Sequence, residues 1–193
     1  MTQTEATFGW SGKLPCRGDF IEGGARLDLF GWFADWASEG AARVRAGGGP
    51  MADAFLTAPL VRFVAAAGVL GSRAALGVLG PGMDRAGRLY PFLIASEPGE
   101  IGAPEPGLQA NTRWFDEAEA AFLDFLAPDF DAALIAERLA ELPEPQAVPD
   151  SAGGAGLAWR SAEAPVETAG TVPEMVRLMN LPAAAPVLDG QAG

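Results

Sequence analysis

The segment after residue 26 carries apolar residues at steps of three and four positions, with polar residues between them. This period is typical of a helix that buries one face. The apolar positions are Leu27, Phe30, Phe33, Trp36 and Ala37. Glycine and proline at 47–50 predict the end of this helix, and the residues from Met51 to Leu56 predict a short second helix.

Three apolar runs lie in the middle of the chain, each separated from the next by a few turn-forming residues. Parallel neighbours need a crossover of about a dozen residues or more, so runs this close together predict an antiparallel meander. The runs are 60–66, 74–80 and 89–96. Near the N-terminus, FGWSGKLPCRGDF at 8–20 predicts a short strand, a turn and a second extended piece.

The region after residue 107 predicts two packed helices on either side of a break at Pro128. The first is expected to be capped by Asn111 or Thr112 and to open with Trp114 and Phe115, and the second covers 130–142. The acidic residues at the two helix starts are Asp116, Glu117, Glu119, Asp129 and Asp131. We interpret them as compensation of the helix dipole rather than as a catalytic acid–base pair.

Segments rich in proline, glycine and small polar residues predict the loops. Residues 99–107 are expected to form a linker, 143–156 a flexible loop and 183–193 a frayed tail. A last short strand is expected around Trp159, and a terminal helical turn is expected within 172–181.

The chain is strongly acidic, with 25 aspartates and glutamates against 13 lysines and arginines and a formal net charge of -12. This charge repels phosphate backbones and anionic lipids, so neither nucleic acid nor membrane insertion is expected. No run reaches the roughly 18 to 20 apolar residues that cross a bilayer, and the N-terminus lacks a basic region before an apolar one. With 193 residues that are 49% hydrophobic, we expect one cytoplasmic domain, 1–193.

The absence of histidine limits the chemistry that the chain can perform. Neither a Ser-His-Asp nor a Cys-His relay nor an imidazole zinc ligand can form within it. The Gly-Lys pair at 12–13 is followed by Leu14 rather than by the hydroxyl residue of a nucleotide-binding loop. Cys16 lies near Lys13 and Arg17, and a reactive thiol stays open as an alternative because positive charge lowers a thiol pKa. We expect a protein without catalytic residues, metal or cofactor.

Two loops concentrate positive charge in this acidic chain. GKLPCRGDF at 12–20 holds Lys13, Arg17 and Asp19, and GMDRAGRLYP at 82–91 holds Asp84, Arg85 and Arg88. We hypothesise that both loops lie at one end of the sheet and form a single polar surface, since arginine binds carboxylate or phosphate in a bidentate manner. The alternative is an internal network of salt bridges and turns.

Three motifs occur in an order that resembles a known family. They are GKLPCRGDF at 12–20, AFLTAPLVRF at 54–63 and GVLGPGMDRAGRLYPFLIA at 77–95, followed by the helical segment WFDEAEAAFLDFL at 114–126. Together they resemble the TagF family, also called ImpM, of proteins associated with bacterial type VI secretion. The chain departs from that pattern at Gly82, where serine is common.

The resemblance implies a fold, a function and a partner. The fold is α/β (α+β), a three-layer α/β/α sandwich with a central mixed, largely antiparallel sheet. The function is post-translational repression of type VI secretion, without catalysis, by contact with secretion-system components such as a forkhead-associated scaffold protein. An alternative is a small-molecule or nucleotide-sensing domain that uses a cluster of Arg62, Asp84 and Arg88.

The residues that match the motifs divide by chemistry. Glycines and prolines are expected to shape loops, and Phe20 and Phe63 are expected to lie in the core. The structural set is Gly12, Pro15, Gly18, Phe20, Pro59, Phe63, Gly87 and Pro91. The polar set, expected to form a partner-binding patch, is Lys13, Arg17, Asp19, Arg62, Asp84, Arg85 and Arg88.

Overall fold

The computed structural model describes residues 7–98, 101, 103–148, 156–162 and 164–182. Within this part of the chain, seven strands form one sheet. In chain order they are β1 (Thr7–Gly12), β2 (Ile21–Gly24), β3 (Val61–Ala65), β4 (Ala75–Gly80), β5 (Phe92–Glu97), β6 (Leu157–Ser161) and β7 (Glu167–Ala169). Their order across the sheet is β2-β1-β5-β4-β3-β6-β7.

All neighbouring strands in this sheet are antiparallel. The meander predicted from the three apolar runs is confirmed as β3, β4 and β5, because their short connections permit only antiparallel neighbours. The expected mixed character is limited, among the described residues, to one parallel bridge between Ile101 and Val148 outside the strands.

Helices cover both faces of the sheet. In chain order they are α1 (Leu29–Ala46), α2 (Gly48–Leu56), α3 (Pro104–Ala110), α4 (Thr112–Phe125), a 3-10 turn (Ala132–Leu134), α5 (Ile135–Ala140) and α6 (Met175–Leu178). Apolar residues of α3, α4 and α5 share one core cluster with the sheet. Those of α1 and α6 share a second cluster with the other face, and α2 extends this layer through a third cluster with both helices.

The central strands β4 and β5 are buried over their whole length. Because successive side chains in a strand point to opposite faces, one set packs against each helical layer. In β4, Leu76 and Val78 contact the cluster that contains Phe122 of α4, whereas Leu79 contacts the cluster that contains Phe33 of α1. The expected three-layer α/β/α sandwich is therefore confirmed.

Two expected breaks are in fact the first turns of helices. The glycine and proline stretch separates α1 from α2 by Gly47 alone, and α2 begins at Gly48 rather than at Met51. Likewise, part of the segment expected to be a linker forms α3, which begins at Pro104. Proline is tolerated in a first turn because the N–H groups there have no partner within the helix. The start of the second helix expected at Met51 and the linker expected as far as residue 107 were wrong for this reason. The predicted end of the first helix is confirmed, because α1 ends at Ala46.

The start of α4 differs in detail from its prediction. Asn111 occupies the N-cap position, but its side chain makes no capping hydrogen bond. Its amide nitrogen donates instead to the carbonyls of Gly107 at 3.0 Å and Gln146 at 3.2 Å, and its oxygen accepts from the Gln146 N–H at 2.7 Å. Asp116 and Glu117 lie beyond the first turn, so they do not compensate the dipole in the expected way.

Some expectations about loops and domain organisation stay predictions. Of the loop expected at 143–156, residues 149–155 lie outside the described residues. The tail expected at 183–193 lies outside them entirely. Within the described part of the chain, no helix is long and apolar enough to cross a membrane.

Candidate protein interface

The two charged loops meet at one end of the sheet. The first joins β1 to β2 and the second joins β4 to β5, and β5 is antiparallel to both β1 and β4. The Arg85 N–H donates to the Arg17 carbonyl at 2.7 Å, which joins the loop backbones directly. The hypothesis that the loops lie together is confirmed.

A buried ion pair joins the first loop to the second. Lys13 Nζ lies 2.8 Å from Asp84 Oδ2, and the two residues are only 5% and 1% exposed. The Arg88 Nε donates to the same oxygen at 2.7 Å. The other oxygen, Oδ1, accepts the backbone N–H groups of Ala86 at 3.0 Å and Arg88 at 2.9 Å. The carboxylate therefore receives four donors within the loops.

These contacts keep Asp84 ionised. Burial alone raises the pKa of a carboxyl group, but hydrogen bonds from Lys13 and Arg88 outweigh burial and hold the Asp84 pKa well below its usual range. Both charges of the Lys13–Asp84 pair are thus enclosed within the loops. Their place in the expected partner-binding patch needs correction, because both side chains are buried and position the loops, whereas Arg17, Asp19, Arg85 and Arg88 are exposed.

Phe20 is the main exception to the expected core. It is 53% exposed, whereas Phe63 is buried as expected. Tyr90 takes the inner position, packing edge-on against Phe20 at 4.6 Å between ring centroids and against Phe33 of α1 at 6.2 Å. The Lys13 ammonium lies 4.6 Å from the centre of the Phe20 ring. The expectation that Phe20 is core was wrong because Tyr90 already fills that position.

We call the exposed charged and aromatic residues of the two adjoining loops the loop surface. It consists of Arg17, Asp19, Phe20, Arg85 and Arg88. Two of its guanidinium groups are fixed by backbone carbonyls of the first loop. Arg85 Nη2 donates to the Cys16 carbonyl at 2.6 Å, and Arg88 Nη2 donates to the Gly18 carbonyl at 2.7 Å.

Two glycines of the structural set have a positive φ that suits glycine. Gly12 has a φ of +136°, and a Cβ there would lie 2.3 Å from the Pro91 carbonyl oxygen, so it also allows a close approach of the backbones. Gly87 has a φ of +80° and turns the second loop, where its N–H donates to the Asp84 carbonyl at 2.8 Å. At Gly18 a side chain would meet nothing within 4 Å, and the backbone carbonyl accepts from Arg88 at 2.7 Å.

The prolines of the structural set lie at the ends of elements. Pro15 lies in the turn closed by the Arg17 N–H on the Leu14 carbonyl at 3.1 Å. Pro59 lies between α2 and β3, and Pro91 is buried immediately before β5.

Arg62 belongs to a different network. Its Nε and Nη2 donate to both carboxylate oxygens of Glu119 on α4, at 2.7 and 2.6 Å, and Nη2 also donates to Asp116 at 2.8 Å. Its guanidinium lies 5.7 Å from the centre of the Phe115 ring. Arg62 therefore fixes α4 to β3, which corrects its expected role in the patch.

The same contacts weaken the alternative ligand site. That site required a shared cluster of Arg62, Asp84 and Arg88, yet Arg62 is bound by α4 and Asp84 is enclosed by the loops. Cys16, the proposed reactive thiol, is buried in the core cluster on the α4 face. Among the described residues, no group of three or more potential ligands could hold a metal ion.

Sequence reasoning missed the β3–α4 ion pairs and the exposure of Phe20. The partners of Arg62 lie 54 and 57 positions away in the chain, and a single sequence carries no signal for such a pairing. The exposure of Phe20 depends on which of two aromatic side chains fills one position, and hydrophobic pattern alone does not distinguish them.

Comparison with known proteins points to one family. A sequence model described as the TagF N-terminal domain, type VI secretion system-associated, matches residues 9–142. The crystal structure of PA0076 from Pseudomonas aeruginosa PAO1 superposes with a TM-score of 0.75 at 25% sequence identity, covering 95% of this chain and 99% of that one. No curated protein matches the chain. The matched region contains both loops, Arg62 and α4.

Proposed function

This chain belongs to the family of type VI secretion-associated TagF N-terminal domains, and on that premise we propose that it restrains type VI secretion after translation by binding another component of the secretion machinery. The partner we propose is a forkhead-associated scaffold protein, bound in the cytoplasm. The proposed action is non-catalytic.

The observation that carries this proposal is the loop surface. Phe20 is a large apolar side chain that is more than half exposed. The same two loops also expose Arg17, Arg85 and Arg88, and aromatic and arginine residues are the types most enriched at binding hot spots. Tyr90 and Lys13 hold the Phe20 ring in place, so a partner would meet a side chain that has little remaining conformational freedom to lose.

The composition of the chain supports a binding role over catalysis. It contains no histidine, and the most strongly perturbed carboxylate, Asp84, is enclosed by donors from its own loops. A general base needs access to a substrate proton, and this carboxylate has none. The exposed groups around it are suited to recognition instead.

The test compares Phe20→Ala with Leu123→Ala in cells that secrete through this system. Leu123 is a matched control because it is 60% exposed, but on α4. We expect the Phe20 variant to lose restraint of secretion and to bind the purified scaffold at least about tenfold more weakly, as expected for loss of an interface anchor. The Leu123 variant should match the wild type in both assays.

Two outcomes would overturn the proposal. One is a folded Phe20→Ala protein that binds the scaffold and restrains secretion as well as the wild type. The other is a wild-type protein that binds no scaffold.

A further inference from the structure

We infer that the loop surface recognises an acidic protein surface, in which carboxylates surround an apolar recess that receives the Phe20 ring. This inference rests on the proposed function, because it specifies the chemistry of the partner at the same site. It goes further by stating which charge the partner must carry, although the chain itself is strongly acidic.

Charge is unevenly distributed over the chain. Residues 13–20 and 84–88 contain four of the 13 basic residues and two of the 25 acidic ones, a net charge of +2. The remaining nine basic and 23 acidic residues give -14. The loops are therefore a local positive region on a negative protein. Charge complementarity across interfaces sets partner choice and orientation, so a region of opposite sign indicates an acidic partner.

The acidic residues of the two loops do little to neutralise this positive region at the surface. Asp84 is buried and shared between Lys13 and Arg88, so two positive charges meet one negative charge there. Asp19 is exposed, and its carboxylate accepts the Phe20 N–H at 2.8 Å. The exposed side of the loops thus presents three guanidinium groups and one carboxylate.

The guanidinium groups of Arg85 and Arg88 are held in place before any partner binds. Each donates Nη2 to a backbone carbonyl, and Arg88 also donates Nε to the Asp84 carboxylate, which compensates part of its charge. A guanidinium has five donors in a fixed plane, so the remaining donors of Arg85 and Arg88 can bind a carboxylate of the partner. Fixing these side chains in advance reduces the entropy lost on binding.

The exposed Phe20 ring indicates that the surface recognised on the partner contains an apolar part. The ring is exposed in the same loop as Arg17 and packs edge-on against Tyr90. A purely acidic partner would leave this ring in water, whereas a recess between carboxylates would bury it and satisfy the arginines together. The partner chemistry is therefore an apolar recess with an acidic rim.

The decisive experiment reverses one charge at the loop surface and one elsewhere. Arg17→Glu and Arg113→Glu both change the net charge from -12 to -14, since each removes one positive and adds one negative charge. Both arginines are exposed, and neither side chain makes an ion pair within the described part of the chain. Arg17 lies in the first loop and Arg113 lies in α4.

We expect Arg17→Glu to weaken binding to the purified scaffold about tenfold or more, and Arg113→Glu to change it less than about twofold. Arg85→Glu should weaken binding further, and thermal unfolding should establish that each variant is folded. Reversal of carboxylates in the scaffold that contact the loops should restore binding to Arg17→Glu.

Each alternative outcome has a distinct meaning. Equal effects of Arg17→Glu and Arg113→Glu, or no effect of either, would overturn the acidic-rim inference while leaving scaffold binding intact. Loss of binding after phosphatase treatment of the scaffold would identify phosphate rather than carboxylate as the recognised group, and would also overturn it. Absence of binding by the wild type would overturn the proposed function and, with it, this inference.

Discussion

At the scale of single residues, side chains of the same type have different positions in the two loops. Lys13 and Arg17 are both basic and only four positions apart, yet Lys13 is buried on Asp84 and Arg17 is exposed. Phe20 and Tyr90 are both aromatic, and only Tyr90 lies in the core. The sequence motifs identify the residues of the two loops, while packing decides which of them are buried and which are exposed.

Asp84→Asn should strongly destabilise the protein. The amide keeps an oxygen for the backbone N–H groups but removes the negative charge that compensates the buried Lys13 ammonium. Removing one partner of a buried ion pair costs about 3 to 5 kcal/mol. Urea unfolding measures the loss, with Glu39→Gln as the control because Glu39 forms an exposed pair with Arg43. A loss no larger than that of the control would contradict the role assigned to Asp84.

The same carboxylate should make stability depend on pH. Its folded-state pKa is lowered, so its contribution is present above the unfolded pKa of about 3.9 and is lost as the pH falls below that value. We expect the difference in unfolding free energy between the wild type and Asp84→Asn to be constant near neutral pH and to shrink below about pH 4. Urea midpoints measured from pH 7 to pH 3 test this, and a difference that grows on acidification would contradict it.

At the scale of elements, periodicity predicted the framework well. The three-step and four-step pattern located α1, and the spacing of the apolar runs located the β3–β4–β5 meander. The starts of α2 and α3 were missed because proline and glycine mark both loops and first turns of helices. Local sequence therefore identifies elements more reliably than it identifies their boundaries.

The two carboxylates that bind Arg62 between β3 and α4 should contribute unequally to stability. Glu119 accepts from Arg62 through both oxygens and is 23% exposed at its side chain, whereas Asp116 accepts through one and is 61% exposed. Glu119→Gln should therefore cost about 2 kcal/mol of unfolding free energy, more than Asp116→Asn.

Chemical denaturation of the two variants tests that order. Scaffold binding should be unchanged in both, because the loop surface lies apart from this network. Equal losses of unfolding free energy in the two variants would contradict the unequal roles of the two carboxylates. Weaker scaffold binding by a variant that stays folded would indicate that the Arg62 network takes part in binding.

At the scale of the whole molecule, topology creates the loop surface. Pairing of β5 with both β1 and β4 places two loops, nearly 70 residues apart in the chain, at the same end of the sheet. The sequence permitted that juxtaposition as a hypothesis, because both loops border predicted strands. The sequence did not allow Arg62 to be excluded from this surface, because β3 begins at the same end of the sheet. Only the structure shows that the Arg62 side chain binds α4 instead.

Hydrogen–deuterium exchange of the chain with and without the scaffold shows directly whether a partner covers the loop surface. We expect slower amide exchange on binding at 16–20 and 84–90, no change across α4, and loss of the protection in Phe20→Ala. Protection confined to other surfaces, with both loops exchanging at their free rates in the complex, would contradict the claim that the loop surface is the site of contact.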